Sequence, residues 1–244
     1  MTPPLFLLDA LPDGDVVVLD GPEGRHASRV RRLGVGEVLD VTDGRGAAAR
    51  CTVDAVAGDA LTLRVLSRRV VDPPQPRLVV VQALAKGDRG ELAVELLTEV
   101  GVDVIVPWAA ARSVTRWDGD RGERALGRWR STAREAAKQS RRPLLPEVTA
   151  LHSTKQVAAL AAGGFVLHAS ATTSLGTLPL PLGGDLVLVV GPEGGVSDEE
   201  LSSFTANGAV AVRLGSEVLR TSTAGAAAVA ALSVRLGRWS LPAG

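Results

Sequence analysis

Residues 186 to 190, Leu-Val-Leu-Val-Val, form an unbroken apolar run rich in β-branched residues, the pattern of a strand buried on both faces. Polar and small residues follow. Gly191-Pro192-Glu193-Gly194-Gly195 reads as a sharp turn, and Ser197 with Glu200 three positions on has the spacing of a capping box. A helix is therefore predicted to start at Ser197. Ala209 to Arg213 reads as the next strand and Leu214 to Thr221 as a second loop. Ser222 or Thr223 is placed to cap an alanine-rich helix spanning 224–236. Two glycine loops thus leave strands at one edge of a parallel sheet, where open α/β sheets bind their ligands.

The first 72 residues carry a different period. Residues 15–19, 37–42, 47–56 and 60–65 predict short strands separated by Gly-Glu, Asp-Gly and Gly-Asp turns, with a short helix over Gly24 to Leu33 between the first two. Pro73, Pro74 and Pro76 make a stiff spacer, so the chain divides into a β domain (1–72), a linker (73–76) and a second domain (77–244). In the second domain strands over 78–84, 102–106 and 164–168 alternate with helices over 90–100 and 155–162. That alternation predicts an α/β fold, a mainly parallel sheet with helices on both faces.

Charge changes this picture only locally. The chain of 244 residues has zero net charge, and Lys86, Lys138 and Lys155 are its only lysines among 27 basic residues. Arginine suits phosphate recognition, yet genome composition alone inflates it, so clustering is the better signal. Two clusters stand out. Arg25, Arg29, Arg31 and Arg32 share one short helix of a domain whose nine arginines are outnumbered by eleven acids. From Arg112 to Arg142 there are ten basic residues against four acidic, with Trp117 and Trp129 interleaved; Ala133, Ala136 and Ala137 predict a packed face, and Arg134, Lys138, Arg141 and Arg142 a basic one. Both read as RNA-phosphate footprints, with a solvated helix face as the plainer alternative.

Other residues mainly exclude functions. Cys51 is the single cysteine, which rules out an internal disulfide and a cysteine metal cluster. His26 and His152 lack partners at ligand spacing, so no metal site is expected. No apolar run approaches the ~20 residues of a membrane span, and the N-terminal residues do not read as a signal peptide; a cytoplasmic protein is expected. The glycine loops match neither the Rossmann nor the P-loop spacing.

GPEGGVSDEEL followed by RLGSEVLRTSTA resembles the C-terminal signature of the SPOUT methyltransferases, and more narrowly the RsmE family. Lys86-Gly87-Asp88-Arg89 with the helix after it, Arg112-Ser113-Val114, and the Arg128 to Pro143 segment extend the resemblance, as does the Gly24 to Leu33 segment. It implies an N-terminal PUA-like RNA-binding barrel joined to a trefoil-knotted SPOUT α/β domain. It further implies S-adenosylmethionine-dependent methylation of uridine N3 in 16S ribosomal RNA of the small (30S) subunit, by a homodimer.

On this resemblance the cofactor is held by His168, Gly191, Pro192, Glu193, Gly194, Leu214, Gly215, Leu219, Arg220 and Thr221. Lys86 and Arg89 join the two basic clusters as RNA contacts. Arg220 is the first candidate to stabilise charge on the uracil ring, Arg112 the second; Glu217, Glu193 and water stay open as base, and Glu193 is equally placed to cap its own helix. Ser222 stands where many members have an acid, and a helix lysine of the family is missing near Glu95 and Leu96. Two rivals remain, a SPOUT enzyme for another RNA position such as a ribose 2′-hydroxyl, and a non-catalytic ribosome-assembly factor.

Overall fold

The computed structural model describes residues 2–240; the outer ends of both predicted domains, residue 1 and residues 241–244, lie outside the described residues. The chain divides into two compact units. One comprises the chain up to Pro73 with Ala137–Leu145, the other Pro74–Ala136 with the chain from Pro146 onward.

In the first unit β1 (Leu5–Leu7), β2 (Val16–Leu19), β3 (Val38–Thr42), β4 (Ala47–Ala57) and β5 (Ala60–Val70) form one sheet in the order β1-β3-β4-β5-β2. All neighbours are antiparallel except β1 and β3. The two-residue Gly58-Asp59 turn joins β4 to β5, with Ala57 paired to Ala60 and Gly58 at φ +64°. Alternate residues point inward, so Val17, Leu19, Leu39, Val41, Cys51, Leu61 and Leu63 make a core with Phe6. Between β2 and β3 lies α1 (Gly21–Arg25), continued by one π-helical turn over His26–Val30. The predicted helix is thus present but wider-wound at its second half. Sequence reasoning missed β1, a three-residue strand too short to show a period.

Residues 137–145, which the sequence places with the second domain, group with the first unit. Thr42 Oγ1 and Gly46 N donate to Pro143 O at 3.1 and 3.0 Å, and Leu145 N donates to Gly44 O at 2.9 Å. This segment therefore closes backbone hydrogen bonds left open at the β3–β4 turn.

Cys51 is buried in that core, and desolvation pushes its thiol up to about 11. The native protein is accordingly expected to resist alkylation at pH 8, since the thiolate is the reacting form. Mass spectrometry with iodoacetamide checks this: one adduct should form in urea and essentially none in buffer.

The second unit is built on six parallel strands in the order β11-β9-β10-β6-β7-β8. In chain order its elements are β6 (Arg77–Ala83), α2 (Arg89–Glu99), β7 (Val104–Trp108), α3 (Gly119–Gln139) and β8 (Glu147–Val148). There follow α4 (Thr154–Leu160), β9 (Phe165–Leu167), β10 (Asp185–Val190), α5 (Asp198–Ala206), β11 (Val210–Val212) and α6 (Thr221–Arg235). The α3 helix runs on past Ala136 into the first unit.

The period of 2 divides the core of this sheet into two layers. Leu78 and Val80 of β6 with Leu186, Leu188 and Val190 of β10 face Leu97 of α2, Trp129 of α3 and Val229 and Leu232 of α6. Val79, Val81, Val187 and Val189 face Val157 of α4 and Phe204 of α5. Helices on both faces, as the alternation predicts, follow from this double burial. Gly225 lets α6 come close: a Cβ there would lie 3.2 Å from Leu97 Cδ2 and 3.3 Å from Val190 Cγ2. The small residues of α6 thus serve packing within the chain.

Helix α6 also corrects an expectation. Neither Ser222 nor Thr223 caps it; Arg220 occupies the N-cap position and contributes no side-chain cap. The reason is that the helix starts earlier, at Thr221, whose hydroxyl is engaged elsewhere.

Candidate functional site

The site grows from the end of β10. The capping box predicted for α5 forms in full: Ser197 Oγ accepts from Glu200 N at 3.2 Å, and Glu200 Oε2 accepts from Ser197 N at 3.0 Å. The other carboxylate oxygen reaches further. Glu200 Oε1 accepts from Ala111 N at 2.7 Å and from Thr154 Oγ1 at 3.1 Å, so a buried carboxylate ties the start of α5 to the loop after β7 and to α4. Glu200→Ala is expected to destabilise the second unit by roughly 2–3 kcal/mol, because it removes the cap and orphans the Ala111 amide. Urea unfolding checks this, with Glu200→Gln falling in between.

Before this helix the backbone turns too tightly for side chains at Gly191. A Cβ there would approach Val196 Cγ2 to 2.9 Å, and Gly195 sits at φ +72°. Two of the candidate catalytic residues brace the turn. Arg112 Nη1 donates to Gly194 O at 3.2 Å and Val196 O at 3.3 Å. Glu193 Oε1 accepts from Lys86 N at 3.1 Å and from Arg89 Nη1 at 3.4 Å, which joins the Lys86-Gly87-Asp88-Arg89 loop to it. Glu193 therefore does not cap α5; that work belongs to Ser197 and Glu200.

A second brace comes from the sheet interior. Thr221 Oγ1 donates to Gly191 O at 2.7 Å and accepts from the buried Gln82 Nε2 at 3.0 Å. One hydroxyl thus links the loop after β10 to the loop after β11. Sequence reasoning missed Gln82, a polar residue inside an apolar strand and the signal that could have found it.

Strand β9 lies between β10 and β11 and brings its own C-terminal end into the same place. Three strand ends therefore surround one cavity of about 430 Å³, within the roughly 300–1,000 Å³ of small-molecule sites. His168, Gly191, Pro192, Glu193, Leu214, Gly215, Leu219, Arg220 and Thr221 line it, with Arg89, Ala169, Val218 and Ala224. Gly194 and Arg112 stand outside the lining. His168 Nδ1 lies 2.8 Å from Ser170 Oγ, a structural contact at the rim. Val190, Leu167, Val212 and Leu214 supply apolar wall, and the loops supply backbone polar groups.

The carboxylate of Glu217 is held below its ordinary range by its own backbone amide and by the Ser216 hydroxyl at 3.0 Å. That makes it a weak base. Arg220 is exposed at the rim, and its guanidinium makes no hydrogen bond or ion pair among the described residues. Ser222 is buried behind it. Among the described residues no group of His, Cys, Asp and Glu is placed to hold a metal, and no helix is long and apolar enough to cross a membrane.

The predicted RNA contacts divide. In the first unit Arg25 donates to Asp59 at 3.2 Å and Arg29 makes a shorter pair with the same carboxylate, which holds Asp59 below its usual range. Arg31 and Arg32 are exposed, with Arg32 at φ +54°. Arg141 is exposed beyond the end of α3, and Arg142 is partly buried. Lys138 is the exception: its ammonium is buried and pairs with Glu23 at 2.8 Å. It does not share the exposed basic face that helical spacing predicts, because Glu23 from α1 draws it inward. In the second unit Arg134, Lys86 and Arg89 are exposed.

Residues 72–233 match the family described as the RNA methyltransferase domain, and residues 19–66 match the RNA methyltransferase PUA domain. These matches, over a chain with the α/β fold described above, place it in the class of RNA methyltransferases. A ribosomal RNA small subunit methyltransferase E of Mycobacterium bovis is 48% identical over 98% of this chain and 94% of its own, and that of Bacillus subtilis is 30% identical over 88% of each. The chain belongs to this family, the RsmE methyltransferases. A solved member from Neisseria gonorrhoeae, bound to S-adenosyl methionine, agrees with a TM-score of 0.85 at 27% identity, covering 96% of this chain and 98% of its own. A methyltransferase from Legionella pneumophila in complex with the same cofactor gives 0.85 at 26% identity, with the same coverage.

Proposed function

We propose that this chain transfers the methyl group of S-adenosylmethionine to N3 of a uridine in the 16S RNA of the small ribosomal subunit. The observation that carries the reading is the cavity at the C-terminal edge of β9, β10 and β11. Its volume, its apolar wall and a turn that a Cβ at Gly191 would disrupt fit a nucleoside held by backbone groups. Backbone groups of Gly191, Leu214 and Gly215 would hold the adenosine part, with Leu219 over the adenine, while Gly194, outside the lining, supports the turn through its bond from Arg112. The cofactor, when bound, supplies a methyl group already activated by its sulfonium, so the protein's main task is positioning.

On the acceptor side the N3–H bond breaks, the N3–methyl bond forms, and the proton passes to solvent. Loss of the proton spreads negative charge over O2 and O4 of the ring, and arrival of the methyl group, as its bond to sulfur breaks with the electron pair left on sulfur, discharges it. Arg220, at the rim and unengaged among the described residues, is the cation we assign to that charge. Arg112 and Glu193 act as positioning residues, since their polar atoms hold the turn after β10. The same reading includes a knotted passage of the chain after β11 and a homodimer working in the cytoplasm, both supported by the family resemblance.

Incubation with labelled S-adenosylmethionine and 30S subunits lacking the modification, followed by nucleoside analysis, tests this. 3-Methyluridine is the expected product. A 2′-O-methyl nucleoside would assign the chain to a different acceptor atom, and no methyl transfer to any ribosomal RNA would overturn the reading.

A further inference from the structure

Beside the cofactor cavity lies a second depression of about 450 Å³, lined by Lys86, Gly87, Arg89, Val114 and Glu193. Arg89 and Glu193 line both, so the two spaces adjoin across that ion pair. An acceptor that attacks a bound methyl group must enter from a space adjoining the cofactor.

Two features of the depression suit a nucleobase. Val114 is 77% exposed, an apolar side chain among charged neighbours. It is not exposed because its loop is loose: Arg112 is fastened to Gly194 O and Val196 O, and Thr115 Oγ1 donates to Ala85 O at 2.8 Å. A valine anchored on both sides offers a fixed face to a flat ring. Lys86 is the second feature. Its backbone N is held by Glu193, whereas its ammonium has no hydrogen bond or ion pair among the described residues. Arg89, by contrast, is already paired.

We infer that this depression is the subsite for the target base, with Val114 as the face on which the flipped uracil rests and Lys86 as the cation at one of its carbonyl oxygens. The inference rests on the methyltransferase reading above and adds to it the place and the partners of the acceptor. A base taken out of its stack needs such a replacement surface. A cation at a carbonyl oxygen also favours uracil over cytosine, whose exocyclic amino group would point a donor at the ammonium.

The test uses the full chain, S-adenosylmethionine and unmodified 30S subunits, with Lys86→Met, Lys86→Arg and Val114→Asp. Calorimetric affinity for S-adenosylmethionine should stay within about twofold of the parent, because the cofactor lies in the other cavity. Methyl transfer should fall about 10- to 100-fold in kcat/KM for Lys86→Met and Val114→Asp, the range that loss of a base contact commands. Lys86→Arg should recover part of it. Parent-like transfer in Lys86→Met and Val114→Asp overturns the subsite. So does loss of cofactor affinity in step with transfer, which would make these residues part of the cofactor site. A parent protein that transfers no methyl group fails the functional reading itself, a result distinct from either.

Discussion

Arg220→Ala lowers kcat for methyl transfer by about 10²- to 10³-fold while affinity for S-adenosylmethionine stays near that of the parent, the size of loss seen when a preorganised charge-stabilising donor is removed from an active site. The expectation follows from position and from what the side chain does not do. Arg220 lines the cavity rim at the N-cap of α6, with backbone φ −65° and ψ 151°, and its side chain does not cap the helix. Its guanidinium has no protein partner among the described residues, so removing it orphans no buried group and the fold should tolerate alanine. Arg220→Lys keeps the charge and should recover part of kcat. Single-turnover kinetics on 30S subunits, with cofactor affinity measured separately, decide the matter. A large fall in cofactor affinity at unchanged kcat would make Arg220 a cofactor clamp.

Lys138→Ala is expected to destabilise the first unit by about 3 kcal/mol, the lower end of the cost of breaking a buried ion pair from one side. With side-chain exposures of 6% for Lys138 and 14% for Glu23, the pair is removed from water. Losing the ammonium leaves the Glu23 carboxylate, which also accepts from Leu7 N at 3.3 Å, without its counter-charge. The corresponding drop in Tm is roughly 6–12 °C for a protein of this size. A paired change, Glu23→Leu with Lys138→Met, should return most of it, since apolar replacement of a whole buried pair is often neutral. Calorimetry reads both variants. An unchanged transition with weakened binding to ribosomal RNA would restore Lys138 to the RNA-contacting set.

These two residues show where sequence reasoning reaches and where it stops. Arg220 is singled out by the resemblance that the RLGSEVLRTSTA segment carries, and the structure puts it in the cavity lining. Lys138 was misplaced on an exposed face because helical spacing reports direction about one axis and says nothing about a partner 115 residues away. The same limit explains the segment 137–145, whose backbone bonds to Gly44 and Gly46 move it to the first unit.

What the sequence determined by itself is short-range. The Ser197–Glu200 capping box, the apolar run of β10, the tight turn after it and the alternation that demands helices on two faces each follow from residues within a turn or two of one another. Capping geometry and side-chain period are local physics. Tertiary structure alone decided the rest. It placed β9 between β10 and β11, so that Ala169 joins the cavity beside His168, and it started α6 at Thr221, whose hydroxyl bonds to Gly191 and Gln82. It also spent Arg112 and Glu193 on holding the turn. Strand order and buried polar pairing are settled by which hydrogen bonds remain unsatisfied once the whole sheet is assembled, and no window of sequence contains that sum.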